Sequence, residues 1–161
     1  MQKKRVYVES SVISYLTARP ARVLVKLAKQ QQTWDWWEQR NHWELFISPV
    51  VIREIRRGDA EAARKRLSVV DGLSSVPETS EAQQLAEYLI AVEAVPEKLF
   101  DDAMHLAIAA IHDMDYLLMW NQTHLFNADR IEMLYKAIRK AGRKPAVLVR
   151  PDGLLETHHD S

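Results

Sequence analysis

No cysteine occurs among the 161 residues. Disulfides, zinc–thiolate sites and cysteine nucleophiles are therefore excluded, and the composition suits a reducing, cytoplasmic setting. Net charge is missing as well: 22 Lys and Arg balance 22 Asp and Glu. Strong nonspecific grip on nucleic acid usually shows as a basic excess, so the balance counts against that mode but leaves room for a local basic patch. Long apolar runs are absent, and none approaches the ~20 residues of a membrane span. The apolar stretch after Met1-Gln2-Lys3-Lys4-Arg5 breaks at Glu9, too short and too polar for a signal peptide. There is no internal repeat, low-complexity segment or linker. With 47% hydrophobic and 27% charged residues, the chain reads as an ordinary globular protein. Its length suggests one domain, expected over residues 1–155, with a polar, disordered tail over 156–161.

What is present is an alternation of strand and helix signals. Lys4 to Val8 reads as a strand, followed by Ser10 and Ser11 as caps for a helix from Val12 to about Thr17. Pro20 can open the next helix, and apolar residues from Val23 to Trp37 keep a helical period. Glu44 to Ser48 reads as a strand, and Pro49 opens another helix. Gly58 breaks it, Asp59 caps a helix to about Val70, and Ser75-Val76 makes a very short strand. Ser80 to Ala94 and Asp101 to His112 are helical, Asp115 to Trp120 is a buried strand, Ala128 to Ala141 is a helix, and Ala146 to Val149 is a last strand. This order predicts a three-layer α/β/α fold with a central, mostly parallel sheet of about four to five strands.

Four segments place an oxygen ligand beside one of these apolar elements. Glu9 follows the first strand, Glu54 lies one turn after Pro49, Asp101 and Asp102 open an apolar helix, and Asn121 ends the Asp115–Trp120 strand. Open α/β folds build ligand sites at the carboxyl ends of parallel strands, and hard oxygen donors suit magnesium or manganese. A metal-dependent nuclease is the leading reading. Each residue also has a plainer one. Glu9 can face water or cap a helix, Glu54 can pair with an Arg of its own helix, and Asp101 and Asp102 can favour a helix dipole. His105 can orient Asp102, touch substrate, or be a satisfied core histidine. His124 and Asn127 are weaker candidates in the Asn121 loop. The densest basic region, Arg53, Arg56, Arg57, Arg64, Lys65 and Arg66, can hold phosphates or be a solvated face. Trp34, Trp36, Trp37 and Trp43 suit packing or a partner interface better than nucleotide stacking.

At these residues the chain resembles the PIN-domain family, and within it the VapC-type toxins of toxin–antitoxin systems, over most of its length, from Val6 to about Leu155. The opening Val6-Tyr7-Val8-Glu9-Ser10-Ser11-Val12-Ile13 is similar to that family's first motif, and Ile47-Ser48-Pro49-Val50-Val51-Ile52-Arg53-Glu54 to its second. Asp102-Ala103-Met104-His105-Leu106-Ala107 is similar to the third, and Asp115-Tyr116-Leu117-Leu118-Met119-Trp120-Asn121 to the fourth. The resemblance implies that Glu9, Glu54, Asp102 and Asn121 are the catalytic set. Glu9, Glu54 and Asp102 would be the ligands of Mg2+ or Mn2+, with Ser10, Ser11, Arg53 and His105 near substrate. It also implies RNA phosphodiester cleavage, a cognate antitoxin and a homodimer. Two positions depart from the family's habit: Glu9 stands where Asp is usual, and Asn121 removes a negative charge, which disfavours a second metal. The alternative they leave open is a catalytically weak or inactive RNA- or protein-binding module of the same fold.

Overall fold

The computed structural model describes residues 2–120 and 127–159. Five strands, β1 (Lys4–Val8), β2 (Trp43–Ile47), β3 (Ser74–Ser75), β4 (Tyr116–Leu118) and β5 (Val147–Val149), form one sheet in the order β3-β2-β1-β4-β5. Every pairing is parallel. The helices are α1 (Ser10–Thr17), α2 (Leu24–Glu38), α3 (Pro49–Ile55), α4 (Ala60–Val70), α5 (Ser80–Ala91), α6 (Phe100–Ile111), α7 (Ala128–Lys140) and α8 (Pro151–His159). They flank the sheet, giving the three-layer α/β/α architecture.

A parallel sheet covered on both faces needs strands that are apolar throughout. The latter part of β1 meets that demand: Val6, Tyr7 and Val8 have no exposed surface, while Lys4 and Arg5 at its start reach solvent. Its central place fixes the topology. From β1 the chain steps outward to β2 and β3, then returns to the other side of β1 as β4 and β5. The strand order therefore reverses beside β1, where doubly wound sheets open a crevice at the strands' carboxyl ends. α6 is the innermost helix. Ala103 to Ala110 are all buried, and the four alanines among them let neighbouring backbones come close. Helix α5 packs along it.

Boundaries differ from expectation where side chains compete with the backbone. The cap of α1 is Glu9, not Ser10 or Ser11. Pro20 does not open α2, which begins at Leu24. Buried Gln30 accepts from Ala21 N–H and donates to the carbonyls of Ala18 and Arg19, holding the connection extended. α5 stops at Ala91 because Glu93 turns left-handed, with φ 61°. The polar stretch from Glu156, expected to be disordered, is helical as far as His159. The tryptophans are absorbed by the fold: Trp36 and Trp43 are buried, Trp34 donates to the Leu16 carbonyl, and Trp37 lies beneath the Arg40 guanidinium.

Candidate metal centre

β1 ends where its ladder to β4 has one more rung, Glu9 N–H donating to the Leu118 carbonyl at 3.0 Å. The backbone then turns into α1, so the Glu9 side chain folds back over the helix start. Its Oε1 accepts from Ser11 N–H at 2.6 Å and from Ser10 Oγ at 2.8 Å, and its Oε2 accepts from Ser11 Oγ at 2.8 Å. Ser11 Oγ in turn accepts from Trp120 N–H at 2.9 Å. One hydroxyl thus ties the carboxylate at the end of β1 to the chain leaving β4. Glu9 is 5% exposed, and three donors answer the cost of burying its charge.

Glu54 arrives from α3. Pro49 at the first helical position sets the helix start, and Val50, Val51 and Ile55 bury one side of it. Glu54 Oε1 lies 2.6 Å from His105 Nε2 and 3.2 Å from Ser10 Oγ. Ser10 has a single proton and stands between the two carboxylates, so it serves one at a time. His105, on the buried side of α6, makes its other ring bond through Nδ1 to Tyr7 Oη at 2.7 Å, and Tyr7 Oη reaches Ser48 Oγ at 2.6 Å.

These contacts set the electrostatics. Burial alone would raise the Glu54 pKa, but the His105 hydrogen bond and charge, with Ser10 and Arg57, hold it below the usual carboxylate range. For His105, burial opposes protonation, yet the Glu54 bond and the charges of Glu54, Glu9 and Asp102 carry its pKa above the ordinary imidazole value. Burial pushes the Tyr7 phenol up, so it stays protonated. The Asp102 carboxyl is raised to about 6, first by burial; His105 pulls it down, while Glu9, Glu54 and Asp101 push it up. More negative charge converges here than the chain's own cations neutralise.

Ligand-capable atoms of Glu9, Glu54 and His105 lie within 4.8 Å of one another. The donor chemistry fits a hard divalent cation: two carboxylates, with a third acid on α6 whose pKa is raised first by burial and further by the neighbouring acids. A carboxylate offers about four lone-pair sites, so Glu9 with three hydrogen bonds keeps room on Oε2. Both hydrogen bonds of Glu54 go to Oε1, which leaves Oε2 open among the described residues.

The fold thus brings Glu9 and Glu54 together from positions 45 residues apart in sequence. Asp102 is not part of the 4.8 Å group, though it is near enough for all three members to act on its charge. Ser10 and Ser11 orient the acids. His105 is nearly buried and bonds Glu54, not Asp102. The Arg53 guanidinium is held by Glu78 through two bonds of 2.9 Å, and Asp101 pairs loosely with Arg57 at 3.7 Å. Asn127 caps α7 through Asp129 N–H. Asn121 and His124 lie outside the described residues. Two members escaped the sequence reading, Tyr7 and Ser48. The only hint was a phenol between two valines at the buried end of β1 and a serine before a helix-opening proline.

No protein-family model and no curated protein matches the chain. Solved structures do. Mycobacterium tuberculosis VapC20, described as a Sarcin-Ricin loop cleaving toxin, superposes with a TM-score of 0.57 at 16% identity, over 72% of this chain and 89% of that one. VapBC2 from Rickettsia felis, solved bound to a DNA fragment from its promoter, gives 0.58 at 11% identity, over 91% of this chain and 98% of that one. At such identities the likeness is one of architecture: this chain has the PIN-type fold of VapC toxins.

Proposed function

We propose that the chain is a metal-dependent endoribonuclease, the toxin of a toxin–antitoxin pair, acting in the cytoplasm and hydrolysing RNA phosphodiester bonds. The observation that carries this reading is the convergence of Glu9 and Glu54 beside the reversal of strand order, with Asp102 close enough to be raised by their charge. Glu9, Glu54 and Asp102 would hold Mg2+ or Mn2+, with Asn121 as a fourth donor. Such an ion, when bound, supplies activation of a water and neutralisation of charge on the phosphoryl oxygens. The chain's own part is to aim the acids. Ser10 and Ser11 fix Glu9, His105 fixes Glu54, and α6 presents Asp102 from its first turn. The fold likeness to a Sarcin-Ricin loop cleaving toxin supports RNA as substrate, and that to a VapBC2 assembly supports an antitoxin partner. Cleavage of RNA with Mg2+ or Mn2+ that stops in excess EDTA is the expected result; undiminished cleavage in EDTA sinks the reading. A small open reading frame beside the gene, whose product blocks cleavage, is the matching test of the toxin role.

One observation favours a second reading. The Glu9 carboxylate is already satisfied by three donors, as a purely structural cap would be. A PIN-fold module that binds RNA or protein without turnover would bind RNA equally with and without divalent metal.

A further inference from the structure

The hydrogen-bond chain running from Ser48 through Tyr7 and His105 to Glu54 is longer than a buried histidine needs. Each link comes from a different place: the residue before α3, the penultimate residue of β1, α6, and α3 itself. Ser48, Tyr7 and His105 have at most 1% of their surface exposed, while the Glu54 side chain keeps 19%. The chain therefore begins in the core and ends at the carboxylate that opens to the site. Ser48 occupies the cap position of α3 but makes no side-chain cap bond; its hydroxyl goes to Tyr7. Polar groups in a core this tight are costly unless every one is paired, and an apolar trio would pack with less demand.

We propose that Tyr7, Ser48 and His105 are positioning residues for the metal centre, with His105 holding Glu54 rather than ligating the ion. This rests on the metal-dependent reading above. The geometry assigns the protons. Glu54 as a carboxylate can only accept, so His105 Nε2–H donates to its Oε1. Nε2 carries that proton whether the ring is charged or neutral; in the neutral ring Nδ1 accepts from the Tyr7 O–H, and the Ser48 O–H donates to Tyr7 Oη. A committed Nε2 has no lone pair for a metal. What the chain delivers to the site is a Glu54 pinned by Oε1, with Oε2 turned outward. Partners of this kind around a metal ligand commonly change affinity by 10–100-fold when removed.

The test uses the full-length chain and two variants, Tyr7→Phe and Ser48→Ala. In metal-free wild type, nitrogen-15 NMR of His105 should show a proton on Nε2 at every pH, with Nδ1 an acceptor once the ring is neutral. Titration with MnCl2 should give a dissociation constant about tenfold higher for Tyr7→Phe and a smaller rise for Ser48→Ala, with melting followed in parallel. Should Tyr7→Phe fail to fold, Ser48→Ala carries the comparison. His105→Gln keeps an amide donor toward Glu54 and should bind manganese more tightly than His105→Leu. Wild-type manganese affinity in folded Tyr7→Phe and Ser48→Ala overturns the proposal. So does an Nε2 that is unprotonated or that ligates the ion. A wild type that binds no manganese overturns the metal reading itself. The tautomer, read without metal, tells that failure apart from one in the positioning chain.

Discussion

Glu9 and Glu54 are the same side chain in one site, held in opposite ways. Glu9 is fixed by neutral donors from the next two residues, Ser10 and Ser11. Glu54 is fixed by an imidazole 51 positions away and shares with Glu9 the hydroxyl of Ser10, 44 positions back. The first arrangement is local geometry and forms whenever α1 forms. The second exists only once β1, α3 and α6 have docked. One acid is therefore a feature of secondary structure, and the other reports tertiary assembly.

Asp102 provides the sharpest control, because neither arrangement holds it. Its carboxyl is half-buried near other acids with no hydrogen bond among the described residues, so the role proposed for it is charge. Asp102→Asn should reduce metal-dependent RNA cleavage by at least about 100-fold, equivalent to about 2.7 kcal/mol of activation free energy. Stability should be unchanged or improved, since a repelled charge is removed. Cleavage assays and urea unfolding on the same preparation check this. A stability loss of ~2 kcal/mol or more would make Asp102 structural instead.

Glutamine substitutions probe the comparison directly. Both oxygens of Glu9 face donors, so Glu9→Gln sets an amide donor against a hydroxyl or N–H. The expected loss is about 1–3 kcal/mol, the usual penalty for a mispaired buried polar group. At position 54, glutamine still offers a carbonyl to His105 Nε2–H, and Oε2 is free to become the amide nitrogen. Glu54→Gln should lose no more than about 1 kcal/mol while weakening manganese binding as Glu9→Gln does. Equal losses in urea unfolding would erase the distinction between locally and tertiary-held acids.

That same distinction decides how far the sequence could be read. Local signals were legible. The alternation of elements indicated a parallel α/β/α sheet, Pro49 and Asp59 marked helix starts, and Glu9 and Glu54 stood out beside apolar runs. The Glu54–His105 bond was not legible, because no spacing rule relates residues 51 apart without a contact map. His105 sits three residues after Asp102, which made orienting Asp102 one of its readings beside a substrate contact and a satisfied core histidine. The helix instead turns His105 inward to α3 and β1. The four tryptophans from 34 to 43 suggested an interface by their number. Their indole contacts with Leu16, Arg40 and the core are invisible until α2 is docked.

The metal-free protein should also show the two acids apart in its pH dependence. The Glu54 pKa is lowered on folding, so its contribution is present above the ordinary value of 4.5 and fades as pH falls through the lower folded value. The His105 pKa is raised, so its contribution is complete below 6.5 and is lost as pH rises through the folded value. Their joint contribution is greatest between about pH 4.5 and 6.5. In His105→Gln that local maximum should flatten, read as unfolding free energy across pH in EDTA. An unchanged profile would mean the pair contributes nothing beyond its packing.

The smallest effect is expected one residue from Glu54. Arg53 was a candidate for substrate contact, and it lies in the same helix, yet its guanidinium is occupied by Glu78 in a two-bond pair on an exposed surface. Exposed pairs of this kind contribute about 0–1 kcal/mol, so Arg53→Ala should scarcely change stability or manganese affinity. Its effect on RNA depends on whether the guanidinium can leave Glu78. If the pair is permanent, Arg53→Ala leaves KM alone. If phosphate competes for the guanidinium, Arg53→Ala raises KM, and Glu78→Ala, which frees the same group, lowers it. The bidentate geometry favours the first outcome, because a planar fork matched by a carboxylate is the arrangement Arg holds best. Measuring KM for both variants at low and moderate salt separates the two. Opposite shifts that shrink as salt rises would reinstate Arg53 as a phosphate contact and extend the site along α3, beyond the acids.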